Sequence, residues 1–489
     1  MTHPFEELLL DIQKHPNAMS GSVYDMAWLA WLIPEAHDRL CGTQHPDGSW
    51  GADLEYYHDR VICTLAAINA LAATSTNHHE MHQIERGIKY LERATRFLPL
   101  DPTETVGFEL LAPSLVKIGK GLGLRLGRVA KLLEPYEAIC RQKLSLIPPA
   151  MLYGKKSTVP HSLEFVGFDN LDRSAVATVR FANGSIHNSP AATAFCEVAG
   201  AGSTAGRDYL ASTLAYYAGG APNLAPFEWY EINWALMHLA LVEDLNQFGE
   251  LVRPLLEKIR AGWGPEGIGL GEEFPVDLDN TAAAYTLLSK SGIAVDYAVF
   301  KAFEEEDHFH CFRFERNISL DVHTRLVMAL RQAPDFPGRD DMLLKAINIL
   351  SRYTLSGLVT DKWHASPYYS TAHAVIALCG LADAMIEGQI YWLQDSQQKN
   401  GSWTYYPNFK PAALEESAYA LLALLVVQKQ KGSVSPDVIK RGMDYLTKYY
   451  QDHRALPALW VDKGLYHPMH ITRAIFLAVF ALYDQLYRT

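Results

Sequence analysis

The sequence has no Cys-x-x-Cys pair, no cluster of basic residues and almost no strand-like alternation of polar and apolar positions. Its six cysteines, Cys41, Cys63, Cys140, Cys196, Cys311 and Cys379, are scattered, most of them among apolar neighbours as in VICTLAA and IALCGLA. They read as buried thiols of a reducing cytosol, neither a disulfide frame nor a zinc site. Lys and Arg total 43 against 55 Asp and Glu, a formal charge of −12. No phosphate-backbone footprint is offered, and nucleic acid is not expected as a partner. The longest apolar stretch, ALLALLVV, falls short of the roughly 20 residues a bilayer crossing needs, so no transmembrane segment is expected. The N-terminal residues MTHPFEELLLDIQKHP are acidic and amphipathic, without the basic flank and apolar core of a signal peptide, and a cytoplasmic location is expected.

What is present is helical periodicity over a chain too long for one core. The 489 residues, 49% hydrophobic and 20% charged, imply two or three domains of a globular protein. Segments such as VICTLAAINALAA, EINWALMHLALVEDL, AHAVIALCGLADAM, ESAYALLALLVV and ITRAIFLAVFALYDQL carry apolar residues at helical spacing, which predicts an all-α protein. The chain also repeats itself. QHPDGSWG (44–51) and QQKNGSWT (397–404) share Gln-x-x-x-Gly-x-Trp, and each leads towards an apolar helix; FANGSIHNSPAATAFCEV (181–198) is a weaker third copy. Repeats of helix pairs joined by Gly turns point to toroids of helices, with Gly permitting the turn and Trp and Gln tying helix ends together. Because the two clear copies lie in different halves, two helical barrels are predicted. The Gly/Pro-rich AGWGPEGIGLGEEFP (261–275) is expected to be the crossover between them.

The stretch EEFPVDLDNTAAAYTLL (272–288) sets Asp277 and Asp279 against an apolar helix start. One reading is an N-cap, in which Asp or Asn satisfies free backbone N–H groups. The other is chemical. Burial disfavours a carboxylate's charge, so an acid in apolar surroundings is expected to hold its proton at neutral pH. Such an acid suits protonation of a feebly basic group such as an alkene. The resulting carbocation needs apolar walls and aromatic faces. Aromatics are dense in KWHASPYYSTAH (Trp363, His364, Tyr368, Tyr369, His373), PFEWYEINW (Phe227, Trp229) and LWVDKGLYHP, although each cluster taken alone reads as core.

In order along nearly the whole chain, SVYDMAWLA, QHPDGSWG, TVGFELLAP, HSLE, GGAPN, DLDNTA, DKWHASPYYSTAH and ALWVDKGLYHP resemble the bacterial class II diterpene cyclases. These are the copalyl and halimadienyl diphosphate synthases, related to the β and γ domains of the plant enzymes and to squalene-hopene cyclase. The resemblance implies two α/α-barrels: a β domain of residues 1–18 and 263–489 carrying the acid, and a γ domain of residues 19–262 inserted after the first helix, with the substrate cavity between them. It implies that Asp279 is the general acid that protonates geranylgeranyl diphosphate, with Asp277 in the same motif. It further implies that His161 and Asn223 hold the water that removes the final proton in ent-copalyl enzymes, and that Mg2+ assists the diphosphate. The aromatic clusters would then line the cavity.

Three departures stand out. The motif ends in Asn280 where an Asp is usual, and Asp321 stands where relatives carry an Asn, a pattern that reads either as a compensating swap around Asp279 or as independent drift with reduced activity. The metal segment is reduced to DPTETVGFE, leaving Asp101 and Glu104, with Lys463 as a further cationic contact for the diphosphate. No DDxxD metal motif occurs, since the Asp340–Asp341 pair continues MLLK, so the diphosphate should be retained and passed to a downstream class I terpene synthase. The reaction class would be an isomerase. A halimadienyl-type product, a carbohydrate-active α/α-barrel with paired carboxylates and a non-catalytic helical scaffold are the competing readings.

Overall fold

The computed structural model describes residues 4–75, 77–217, 220–313, 315, 317–334, 336–353, 358–451 and 456–488. The chain forms two compact units: Met1–Ala18 with Phe227–Leu456 and Pro468–Thr489, and Met19–Pro226 with Pro457–His467. The boundary expected at 262/263 therefore lies at 226/227. Helices Glu228–Leu239 and Gly249–Gly262 pack with the first unit, and an eleven-residue excursion late in the chain belongs to the second.

In the first unit six helices close an inner ring. Glu228–Leu239, Leu278–Lys290, Leu320–Gln332, Pro367–Leu378, Ala413–Lys431 and Met469–Tyr487 each pack on the next, and the last packs on the first. Gly249–Gly262, Arg339–Tyr353, Asp383–Asp395, Pro436–Tyr449 and Pro4–Lys14 lie outside it. The inner helices are apolar or small on every side because neighbours cover them on every side. Every residue from Ala413 to Val427 is buried. By length and composition Lys410–Lys431 is apolar enough to cross a membrane, against the sequence expectation, yet 89% of its apolar window is buried within the protein.

The second unit repeats the plan with five members. Val23–Leu29, Tyr57–Thr74, Phe108–Gly121, the 3-10 stretch Val159–Val166 and Pro190–Val198 close the ring, and Pro34–Gly42, His78–Ala94, Glu134–Leu144 and Thr204–Tyr216 lie outside. Its only strands among the described residues, Trp460–Val461 and Leu465–Tyr466, form a two-stranded antiparallel hairpin.

The repeats have one hydrogen-bond pattern. Trp50 Nε1 donates to the Leu40 carbonyl (2.9 Å), Trp50 N donates to Thr64 Oγ1 (2.9 Å), and the Gln44 amide donates to the Gly48 and Gln83 carbonyls (2.9 Å each). In the other unit Trp403 Nε1 donates to Leu393 O (2.5 Å) and Trp403 N to Ser417 Oγ (2.9 Å). There the Gln397 amide donates to the Gly401 (3.1 Å) and Val438 (2.9 Å) carbonyls. Gly48 and Gly401 have φ of 96° and 91°, and a Cβ would fall 2.7 Å from Arg86 O and 2.2 Å from Arg441 O, so glycine is required at both. The weak third copy behaves alike, with Ile186 N donating to Thr193 Oγ1 (2.8 Å).

Two further copies lack the Gln-x-x-x-Gly-x-Trp signature. Ile268 N donates to Thr281 Oγ1 (3.1 Å) and Val359 N to Thr371 Oγ1 (2.8 Å). The first of these lies in the segment expected to cross between domains. Residues 261–275 are instead a turn inside the first unit that leads into helix Leu278–Lys290.

Candidate active site

The two aspartates of the DLDN stretch have different surroundings. Asp277 is the N-cap of Leu278–Lys290: its Oδ1 accepts from Asn280 N (2.7 Å) and its Oδ2 from Asn280 Nδ2 (2.9 Å). Asp279 lies in the first turn, is 8% exposed, and has a buried Oδ1 without a hydrogen-bond partner. The nearest cation is Arg325, whose Nε lies 3.9 Å from that oxygen. Burial raises the Asp279 carboxyl from its ordinary 3.8 to about 6; Arg325 opposes the rise and Asp361 adds to it. The acid is thus only partly protonated at neutral pH, where the sequence leads to the expectation that it holds its proton. At pH 7 a group of this affinity holds its proton in roughly one molecule in ten. Arg325 prevents the larger shift that burial alone would give.

Arg325, absent from the sequence reading, is the centre of the site. It is 1% exposed, sits over the Trp234 and Tyr369 rings (5.4 and 5.5 Å to the centroids), and donates to Tyr369 Oη and Thr324 Oγ1. The Trp234 indole N–H also donates to Tyr369 Oη (3.3 Å). A lone Arg inside the apolar run VHTRLVMAL was the available signal. Asp361 was missed as well: its Oδ2 accepts from Leu320 N, Asp321 N and Ser319 Oγ, fixing the start of helix Leu320–Gln332.

The predicted residues divide around this centre. Asp321 is buried, its Oδ2 accepting from Ser370 Oγ (3.2 Å) and its Oδ1 unpartnered; burial, with the Asp361 charge, pushes its carboxyl well above the usual range. Asn280 is bonded to Asp277, and Asn233 Nδ2 reaches its Oδ1 at 3.5 Å. His364 stacks on Tyr369 (4.7 Å between centroids, 6° between planes), with its Nε2 3.3 Å from Glu415 Oε1. His373 Nδ1 donates to the Tyr369 carbonyl (2.9 Å), and its Nε2 meets His238 Nε2 at 3.1 Å. Tyr368 faces away from this group, stacked on Trp392 at 4.6 Å, and Trp363 packs under Lys362. Phe227 and Trp229 serve helix packing. Phe227 precedes helix Glu228–Leu239 and donates its N–H to Asn17, and a Cβ at Gly262 would fall 2.7 Å from the Trp229 ring.

The remaining candidates belong to the second unit. His161 Nδ1 donates to the His187 carbonyl (3.2 Å), and its Nε2 lies 3.5 Å from Asp462 Oδ2. Asn223 Nδ2 donates to Gly464 O (2.9 Å) and its buried Oδ1 has no partner. Both thus reach the Asp462–Gly464 turn. Gly219, which opens the GGAPN motif, lies outside the described residues. Asp101 Oδ2 accepts from both the backbone N–H (2.7 Å) and Nδ1 (2.8 Å) of His58. Glu104 is exposed, and partial burial of its carboxyl still raises it above the ordinary range.

Lys463 is not available to a diphosphate. Its fully buried Nζ donates to His161 O (3.0 Å), Glu164 Oε1 (3.1 Å) and Ser189 Oγ (2.6 Å), so its charge is spent on the fold.

No family model matches the chain. A type B diterpene cyclase of Mycobacterium tuberculosis is 31% identical over 491 aligned positions, covering 96% of this chain and 97% of that protein. The chain belongs to the class II diterpene cyclases. A rice protein, ent-copalyl diphosphate synthase 2, is 33% identical over 362 positions; that match covers 70% of this cyclase but only 44% of the rice protein. Among solved structures, the ent-copalyl diphosphate synthase from Streptomyces platensis superposes with a TM-score of 0.79 at 28% identity, covering 97% of this cyclase and 98% of that chain. The cyclase is therefore an enzyme of isomerase type, and the carbohydrate-active and scaffold readings fall.

Proposed function

We propose that this class II cyclase converts geranylgeranyl diphosphate to a bicyclic diphosphate of the ent-copalyl type, with Asp279 as the general acid. The observation that carries the proposal is the buried Asp279 carboxyl, raised to about 6 and set beside an arginine held by aromatic faces. In the reaction the Asp279 proton adds to the terminal C=C, its π electrons form the new C–H bond, and the cation left behind is attacked in turn by two internal alkenes. Loss of one proton from carbon ends the sequence, so substrate and product are isomers and the C–O bond to diphosphate stays intact. Trp234 and Tyr369 offer π faces to positive charge. His161 and Asn223 are proposed to serve the final deprotonation.

Oxygen donors suit Mg2+, which keeps waters and takes one or two carboxylates together with substrate phosphates. Glu104 and Asp101 would hold it; when bound it neutralises diphosphate charge. The product is expected to pass to a class I terpene synthase, since this chain carries no DDxxD motif. Incubation with geranylgeranyl diphosphate and Mg2+, followed by phosphatase treatment and chiral gas chromatography with mass spectrometry, should give ent-copalol. A halimadienyl alcohol would refute the product, and geranylgeraniol alone the reaction.

The roles of Asn280 and Asp321 can be separated. An acid at position 280 would bring a second carboxylate to 2.9 Å from Asp277, and the two would have to share a proton. Asp321, in turn, helps to balance the buried Arg325 charge. Asp321→Asn alone is expected to lower turnover by about tenfold or more, and Asn280→Asp combined with Asp321→Asn to recover most of it. A harmless single change would end the compensation idea.

A further inference from the structure

A cluster in the second unit lies apart from any role assigned above. His37 and Cys41 stand four residues apart on the outer helix Pro34–Gly42, which puts both side chains on one face. Glu80 comes from the first turn of the neighbouring outer helix His78–Ala94. One ligand atom from each of the three lies within 4.8 Å of the other two. The imidazole sits between the others, with Nδ1 3.9 Å from Cys41 Sγ and Nε2 3.8 Å from Glu80 Oε2.

Two features distinguish this group from a chance meeting of polar side chains. Glu80 is only 8% exposed; Asn77 holds its Oε1 (2.5 Å), while Oε2, aimed at His37, is buried without a hydrogen-bond partner. His37 Nε2 is likewise buried and unpartnered. Buried polar groups left unpaired are costly, and at 3.8 Å these two do not satisfy each other. The surround is also built. Gln83, one turn along from Glu80, donates to the Cys41 carbonyl (2.8 Å), fixing the end of one helix against the start of the other.

We propose that His37, Cys41 and Glu80 are a three-ligand site for a divalent cation of the zinc type, bridging the helices Pro34–Gly42 and His78–Ala94, with water as fourth ligand. The donor set decides the class of ion. Thiolate and imidazole select zinc-like ions over magnesium or calcium, and a tetrahedral zinc shell places its ligands roughly 3.3–3.8 Å apart. The two short approaches are made by opposite ring nitrogens, so a single nitrogen takes the ion and the three ligand atoms, which lie within 4.8 Å of one another, close by up to about 1 Å around it. Without a cation, burial and the Glu80 charge push the Cys41 thiol up to about 11, whereas a bound dication would take it as thiolate and release a proton. A search for Cys-x-x-Cys spacing does not find such a site, because its third ligand lies on another helix.

The test is titration of the reduced full-length chain with Co2+, read by the thiolate-to-cobalt charge-transfer absorption, followed by displacement with Zn2+. One equivalent should bind, Zn2+ should abolish the band and raise the melting temperature, and proton release should accompany binding. Cys41→Ser should remove the band, and Glu80→Gln should weaken binding at least tenfold, with circular dichroism showing both variants folded. Cys140→Ser, which lies outside the cluster, should leave the band unchanged. A band that survives Cys41→Ser, or the absence of any saturable binding by the wild-type chain, overturns the proposal. Neither outcome bears on the cyclase reaction.

Discussion

Replacing Asp279 with asparagine is expected to cut turnover about 10³- to 10⁴-fold while making the protein more stable. Asn resembles the protonated acid in shape and charge, so it keeps the packing and removes only the transferable proton. The gain in stability follows from the raised affinity for that proton. Below about pH 4 the carboxyl is protonated whether the chain is folded or not. As pH rises through about 6, the folded protein must ionise a buried group that an unfolded chain ionises readily, and stability is lost. The shift from 3.8 to about 6 corresponds to ~3 kcal/mol at pH 7–8. Urea denaturation of Asp279→Asn and wild type at pH 4 and pH 7.5 checks this: the difference should be near zero at the first pH and favour the variant at the second. The same affinity sets the rate profile of the wild type, with turnover about fivefold higher at pH 6 than at pH 7. A profile flat over this range would remove Asp279 from its role as proton donor.

The second large effect is expected at Lys463. Lys463→Met removes the cation that faces Glu164 and leaves that carboxylate buried, at a cost of about 3–5 kcal/mol. The Asp25 carboxyl is already raised to about 7 by burial, with Lys463 holding it down, and would rise further. Lys463→Met combined with Glu164→Gln should recover most of the loss in urea denaturation. If Lys463 contacted the diphosphate instead, the single variant would keep its stability and show a higher KM.

The architecture was legible because inner helices that are apolar all round and Gly-x-Trp turns report directly on a ring of paired helices. The third repeat was already faint, and two more were invisible because what they preserve is a side-chain hydroxyl on a backbone N–H. Thr281 and Thr371 perform that bond with Ile268 and Val359, where the clear copies have Trp, and without the Gln-x-x-x-Gly-x-Trp spacing, which is why residues 261–275 read as a crossover when they form one more repeat. In the site, Asp279 could be found from its apolar company, but its proton affinity could not. That value depends on Arg325, 46 positions further along, and on Asp361, which the sequence shows only as one acid before a lysine. Lys463 erred in the other direction: a lysine in a Trp- and Tyr-rich motif looks free to meet an anion, and nothing local announces Glu164, about 300 residues earlier.

That long return of the chain bears on biosynthesis. The buried acids of the second unit, Asp25 and Glu164, emerge from the ribosome hundreds of residues before the hairpin that carries Lys463, and the helix Met469–Tyr487 that completes the six-membered ring comes later still. The six-membered ring therefore cannot close until the end of translation, and the second unit, whose five ring members are all made by Val198, still lacks the hairpin that covers its buried acids until about residue 467.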